Sequence, residues 1–542
     1  MQPAKRRLFK VRFQMPALTL PPYILRPKRA FADVLCIAIL ITLCVAIGWP
    51  RFRTGIDLGD EGCLAYGAVR VLEGQIPNRD FVTPQGPLSF YTIATVFKVL
   101  GTSLVSMRIL GLAIFVLIPL LIYAISRCLM SRFLALAAAV PACVLGIPYF
   151  NFAPLAVWQG VASSSAAVLL YLCAIATKQM WFAVLSGALI AITLFLRHDL
   201  AVYVSVALVL YALIQRFTHR DDSRRQALRS LFGHWLAGAA IVIVPSAIFF
   251  LYVGAIPEMF RQLVVFPLTV YPKTSSVPFP KILPNAPLSE NAWVMLFYVP
   301  PLVQLLAAIY LVRSIKRNVF CPRQGVLMFL ITWSALFSFQ ALTRSDLEHL
   351  LPTLAPFFLL VCFAWSLLIE HVKKRRHVLA FNLSIAAAIC ASAWLFVVYD
   401  AAIPELNESA GPLRLARAGG LRIPQPEILT DFVHRLQAYV PPEHSILALP
   451  YEPMFYFLTE RRNPTRWNYL WPGDQTAADH AHLIAEAERD PPDIVLLTIE
   501  HRFASEAQAV VQYVHDHYDL VAGNENDLNI YIRRQRDEPT NR

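Results

Sequence analysis

The chain of 542 residues is 57% apolar and only 15% charged, with a formal net charge of +12. A water-soluble domain runs at roughly 45–50% apolar and about 25% charged, so much of this surface has to face something other than water. The basic residues punctuate apolar runs instead of clustering with aromatics in one patch, which argues against a nucleic-acid partner and for a lipid bilayer.

In chain order, residues 1–30 form a basic tail carrying Lys5, Arg6, Arg7, Lys10, Arg12, Arg26, Lys28 and Arg29. A spanning helix needs roughly 20 mostly apolar residues. Such runs fall at 31–49, 106–126, 133–148, 160–177, 181–196, 200–215, 235–253, 292–312, 325–342, 350–370 and 378–399. The pattern predicts an all-α polytopic domain over 31–400 with about eleven spans. Lys and Arg collect on cytoplasmic loops. Alternate loops carry Arg127 and Arg132, Lys178, Arg216 through Arg229, Arg313 through Arg323, and Lys373 through Arg376, whereas 149–159, 197–199 and 343–349 hold few. The N-terminus is therefore expected in the cytoplasm and, with an odd number of spans, residues 401–542 on the extracytoplasmic side. The first span leaves through Gly48-Trp49-Pro50, which suits an uncleaved anchor better than a cleaved signal. The nine cysteines lie mostly in apolar runs and form no CxxC pair, so no disulfide framework is expected.

The loop 50–105 holds a helical stretch (Cys63–Leu72), a turn-rich piece (Gly74–Pro87) and an amphipathic stretch (Leu88–Leu100) before Gly101. Both stretches suit helices lying along the membrane surface. After a Pro-, Gly- and Arg-rich linker at 404–426, the tail alternates helix-like runs (427–439, 475–489, 505–517) with strand-like ones (445–449, 493–498, 528–532). That alternation predicts a small α/β domain.

Ionisable groups gather at the outer ends of the spans, where they are costly unless paired or functional. Asp60 and Glu61, in Gly59-Asp60-Glu61-Gly62, follow the first span, and Arg79 and Asp80 come later in the same loop. Paired carboxylates there can serve as a general base or hold a cation, but an acidic helix cap accounts for them equally. Arg197 with Asp199, and Arg344 with Asp346 and His349, sit in two further outer turns. A guanidinium binds phosphate bidentately, so if the chain handles a lipid phosphate, as the resemblance that follows implies, Arg344 and Arg197 are candidates for gripping it and His349 one for donating to it. The alternative reading is salt-bridged helix ends.

Asp60-Glu61 shortly after a first span, then Leu72-Glu73-Gly74, Ile76-Pro77-Asn78-Arg79-Asp80-Phe81, Pro84-Gln85-Gly86-Pro87-Leu88-Ser89-Phe90-Tyr91, Phe97-Lys98-Val99-Leu100-Gly101 and Met107-Arg108-Ile109-Leu110-Gly111 form an ordered string. It resembles the GT-C superfamily of polyprenyl-phosphate-sugar-dependent glycosyltransferases, most closely the bacterial branch with protein O-mannosyltransferases and aminoarabinose transferases acting on lipid A. The likeness covers residues 55–111. It implies that Asp60 is the base deprotonating the acceptor hydroxyl, with Glu61 in support, and that one sugar moves from a polyprenyl-phosphate donor to an external lipid, glycan or protein acceptor. Related enzymes often carry a second acid in the next outer loop; here Tyr149 to Gln159 has none. A Mg or Mn site is thus in doubt, with Asp80, Asp199 or Asp346 as replacements. A transporter or flippase of a lipid-linked glycan is the other reading, but it would show discontinuous helices and mid-bilayer polar groups.

Overall fold

The computed structural model describes residues 27–373 and 410–534, apart from 147–150, 219–221, 284, 286, 318–321, 472, 499–504 and 524–527, with a few positions between 379 and 394. The basic tail up to residue 26 and nearly all of the expected span 378–399 lie outside the described residues.

The membrane part consists of helices α1 (Pro27–Gly48), α2 (Asp60–Leu72), α3 (Pro87–Leu100), α4 (Leu104–Leu129), α5 (Arg132–Val144), α6 (Ala156–Thr177), α7 (Trp181–Leu196), α8 (His198–Thr218), α9 (Asp222–Tyr252), α10 (Leu288–Arg317), α11 (Pro322–Ser338) and α12 (Leu354–Lys373). Among the described residues, eight helices are long and apolar enough to cross a membrane, and two expected spans, now α5 and α7, are shorter apolar helices. Ser103 starts α4 by accepting the Ser106 N–H at 3.1 Å, which meets one of the orphan donors of a helix start. Asp33 ties α1 to α4 by accepting from Arg127 at 2.7 Å and from Tyr123 at 2.6 Å. Between α9 and α10 the chain makes a broken helical passage: Ile256–Phe260, a π-helical turn Arg261–Val265, then Phe266–Thr269 and Tyr271–Thr274.

The tail holds α13 (Pro426–Tyr439), β1 (Ile446–Leu449), α14 (Met454–Thr459), α15 (Ala477–Arg489), β2 (Ile494–Thr498), α16 (Gln508–His517), β3 (Tyr518–Ala522) and β4 (Leu528–Arg533). The sheet order is β1-β2-β4-β3, with β1 parallel to β2 and the other pairs antiparallel. Thr476 and Asp479 close a capping box at the start of α15. α14 and β3 were not foreseen, because six residues and a five-residue exposed edge carry too little periodicity to be read.

Two expectations are corrected here. The stretch expected as a linker is packed from Ala410 on: Leu413, Leu415, Leu421 and Ile423 are buried, and Arg422 donates its N–H to the Arg53 carbonyl at 2.7 Å. The first-loop helix α2 does not lie on a surface; Glu61 through Arg70 are all buried. It runs between α3 and α14, with the Tyr66 and Tyr456 rings 4.8 Å apart and Arg70 donating to Asn468 at 2.7 Å. One apolar cluster joins the membrane helices, the first loop and the tail as far as β2. That continuity is what brings tail residues to Asp60.

Candidate functional site

The first turn of α2 needs acceptors for its free N–H groups, and Asp57 supplies them. Its Oδ1 accepts from Gly59 at 2.9 Å and its Oδ2 from Glu61 at 3.2 Å, while Glu61 Oε2 accepts the Asp57 N–H at 3.3 Å. The acidic cap foreseen as the alternative role for Asp60 therefore exists, one turn earlier in the chain. Asp60, relieved of capping, accepts instead from the Tyr451 hydroxyl at 2.5 Å and stays half-buried.

Glu61 faces the other way energetically. Its carboxylate and the Arg108 guanidinium are both 0% exposed and joined by two bonds, Nε to Oε1 at 2.6 Å and Nη2 to Oε2 at 2.7 Å. Arg108 also donates to the carbonyls of Thr54 at 2.9 Å and Gly55 at 3.0 Å. The pair therefore fixes the chain between α1 and α2 to α4 and sets the position of Asp60.

The two glycines flanking the acids make room for the tail. A Cβ on Gly59 would stand 2.2 Å from the Tyr451 ring, and one on Gly62 would stand 2.4 Å from the Met454 backbone nitrogen. Met454 in turn donates to the Leu58 carbonyl at 3.1 Å. Gly62→Ala is therefore expected to destabilise by about 1–3 kcal/mol, since backbone, not a flexible side-chain end, must give way. It should also draw Tyr451 off Asp60. Thermal denaturation checks this; wild-type stability would mean that segment 451–454 moves without consequence.

A second group forms at the turn between α11 and α12. Asp346 accepts from the His349 N–H at 3.0 Å, meets His349 Nδ1 at 2.7 Å, and accepts from Arg344 Nε at 2.5 Å. The other ring nitrogen of His349, Nε2, meets the Tyr271 hydroxyl at 3.1 Å. Arg197 pairs with Asp199 at 2.9 Å. Both arginines are thus bridged to an aspartate two residues on, as salt-bridged helix ends would be. A guanidinium has five donors, so pairing through Nε leaves others for a phosphate. Burial pushes the Tyr271 hydroxyl up, and the nearby guanidiniums of Arg344 and Arg197 oppose that. Tyr271 thus stands within electrostatic reach of both arginines, whereas Lys273 and Lys281 of the same passage are exposed.

The two groups feel each other. Burial raises the Asp60 carboxyl above the ordinary aspartate value; the Tyr451 hydrogen bond counters it, Asp57 adds to it, and the charges of Arg344 and His349 oppose it. Asp60, Arg344, His349 and Tyr451 therefore belong to one site, with Asp346, Tyr271, Arg197 and Asp199 around them. Donor atoms of Asp346, Glu348 and His349 all lie within 4.8 Å of one another. Arg79 and Asp80 pair with each other at 2.8 Å and are occupied elsewhere: Asp80 accepts from the Ile76 N–H at 2.7 Å and Arg79 donates to the Val253 carbonyl at 3.1 Å. They clamp the first loop to the end of α9.

Tyr451, Tyr271, Asp57 and Arg108 escaped the sequence reading. Arg108 had a signal, because a charge within an apolar span is functional or paired by default. So had Gly59 and Gly62, which mark a close approach.

No protein-family model matches the chain, and no curated protein matches it by sequence. Solved structures do match. The oligosaccharyltransferase of Archaeoglobus fulgidus with a tethered acceptor peptide is 14% identical at a TM-score of 0.54, over 94% of this chain and 75% of that one. ArnT from Cupriavidus metallidurans bound to undecaprenyl phosphate is 13% identical at 0.55, over 92% of this chain and 97% of that one. Its apo form is 10% identical at 0.52, over 93% and 98%. The chain has a GT-C-like fold and is a multi-pass membrane protein.

Proposed function

We propose that the protein is a glycosyltransferase that moves one sugar from a polyprenyl-phosphate donor to an acceptor hydroxyl at the extracytoplasmic face of the plasma membrane. The observation that carries this reading is a half-buried carboxylate, Asp60, held by one tyrosine hydroxyl and within electrostatic reach of a guanidinium and an imidazole. A hydroxyl attacking an anomeric carbon has to lose a proton while a phosphate leaves, which calls for a base on one side and cations on the other. Asp60 is the base. Arg344, assisted by Arg197, steadies the departing phosphate, and His349 donates to it. Direct displacement inverts the anomeric centre. We assign Arg79 and Asp80 no part in the reaction, and Glu61 a positioning one.

Supporting the lipid donor is an apolar cavity lined by Phe115, Leu145, Trp158, Leu351, Pro352 and Phe358, two of which closely follow His349 in the chain. Such a lining suits an isoprenoid segment. The likeness of ArnT, which binds undecaprenyl phosphate, points the same way. Asp346, Glu348 and His349 offer carboxylate and imidazole donors suited to a divalent cation such as Mg or Mn. A cation held there would add positive charge beside the leaving phosphate. The alternation of basic loops supports an extracytoplasmic tail. The test is incubation of purified protein with a panel of labelled polyprenyl-phosphate hexoses and pentoses; no transfer from any, to any acceptor or to water, overturns the reading.

Two outcomes refine it. Tyr451→Phe removes a hydrogen bond that favours the charged Asp60. The Asp60 carboxyl, already raised, should rise further, and the acid limb of the pH–rate profile should move to higher pH. An unmoved limb would mean that Asp60 is not the titrating base. Arg344→Lys keeps the charge but loses the bidentate fork, and Arg344→Ala loses both, with rate losses up to about 10²–10³. Wild-type rates in both folded variants would restrict Arg344 to its bridge with Asp346.

A further inference from the structure

A second cavity lies where the first loop, the broken helical passage and the tail meet. Its walls include Thr83, Phe266, Trp467, Tyr469, Gln475 and Asp479. Two of them lead to the reacting groups by a single ring contact. Tyr469 packs edge-on against Tyr451, 5.0 Å between centroids, and the Tyr451 hydroxyl holds Asp60. Phe266 lies 6.1 Å from Tyr271, whose hydroxyl meets His349. The cavity thus flanks both the base and the phosphate side of the site.

Its chemistry is particular. Trp467 is 2% exposed, Tyr469 and Gln475 are half-buried, and the indole N–H, the phenol and the amide make no side-chain hydrogen bond among the described residues. Polar ends left open on a cavity wall can be met by a ligand rich in hydroxyls. The same walls hold three aromatic rings, Phe266, Trp467 and Tyr469, beside the carboxylates of Asp474 and Asp479. The guanidinium in the lining, Arg261, is taken by Glu258 at 3.1 Å and Asp479 at 3.6 Å, and Arg466, over the Trp467 ring at 5.7 Å, is paired with Glu258 at 3.4 Å. An anionic headgroup would meet net negative charge, and a hydrocarbon tail would strand the open donors. A neutral sugar has what fits: C–H faces for the rings and hydroxyls for the polar ends.

We propose that this cavity is the acceptor site and that the acceptor presents a neutral carbohydrate to Asp60. The proposal rests on the glycosyltransferase reading above and names its acceptor class.

The experiment uses the full chain in detergent with whichever polyprenyl-phosphate sugar turns over, and offers it neutral oligosaccharides, a serine- and threonine-rich peptide, or a phosphoglycolipid. Transfer to the oligosaccharides is expected. Tyr469→Phe and Gln475→Ala should each raise the oligosaccharide KM about tenfold, the cost of one lost hydrogen bond, with a smaller change in kcat. Transfer to the peptide or phosphoglycolipid alone, or an oligosaccharide KM moved by neither variant, overturns the proposal. A second arm needs no donor: the same oligosaccharides should quench tryptophan fluorescence saturably, with Kd weakened about tenfold in Gln475→Ala. If no donor turns over, the glycosyltransferase reading fails while saturable, Gln475-dependent quenching still supports a sugar site. Absence of both overturns the sugar site too.

Discussion

Asp60→Asn is expected to lower turnover by about 10²–10⁴, the contribution of a general base, while leaving the folded protein at least as stable as wild type. The two halves of that outcome have different origins. Asparagine keeps the size of the side chain and an oxygen that can accept from Tyr451, now 2.5 Å from the carboxylate. What it lacks is a site for the acceptor proton. On stability the sign follows from the raised Asp60 carboxyl. Burial penalises its charged form, so above the ordinary aspartate range the ionised group subtracts from folded-state stability, and removing the charge cannot forfeit a favourable interaction of that kind. The cap of α2 is untouched, because Asp57 provides it. Thermal denaturation beside turnover checks both halves. Unchanged turnover at unchanged stability would remove Asp60 from the mechanism.

The sequence made the helices legible because lipid forces every backbone group to be satisfied within the span, which writes long apolar runs into the chain. It made Asp60 legible because the acid sits in an ordered string of short motifs. It made the expected phosphate-side residues legible for a plainer reason: Arg197, Asp199, Arg344, Asp346 and His349 are charged groups at apolar boundaries. What it withheld depends on contacts between segments far apart in the chain. Tyr451 reaches Asp60 across 391 residues, and no local pattern in Leu449-Pro450-Tyr451-Glu452 announces that. Tyr271 sits in a Pro-rich passage with two exposed lysines, Lys273 and Lys281, yet a tyrosine makes the contact with His349. Asp57 was hidden by proximity. With several acids so close together, residue type alone cannot say which one caps and which one is left over; only the hydrogen bonds distinguish them.

Glu61→Gln should damage the fold far more than the conservative change suggests, by about 3–5 kcal/mol, because it strands the Arg108 guanidinium as a buried charge. Both side chains are 0% exposed, so water cannot compensate either one. The amide would still accept one hydrogen bond, but Arg108 Nε and Nη2 now meet two carboxylate oxygens at 2.6 and 2.7 Å. Turnover should fall with the loss of folded protein, since the pair positions Asp60 without holding the reacting atoms. Removing both charges in Glu61→Leu with Arg108→Met should recover part of the loss, as apolar replacement of a whole buried pair often does. Recovery should be incomplete, because Arg108 also satisfies the carbonyls of Thr54 and Gly55 at 2.9 and 3.0 Å, and methionine leaves both without a donor. A thermal-denaturation cycle over Glu61→Leu, Arg108→Met and the double therefore measures the coupling directly. Additive losses would mean that Glu61 and Arg108 act independently, and Glu61 would then need another reason for its place next to Asp60.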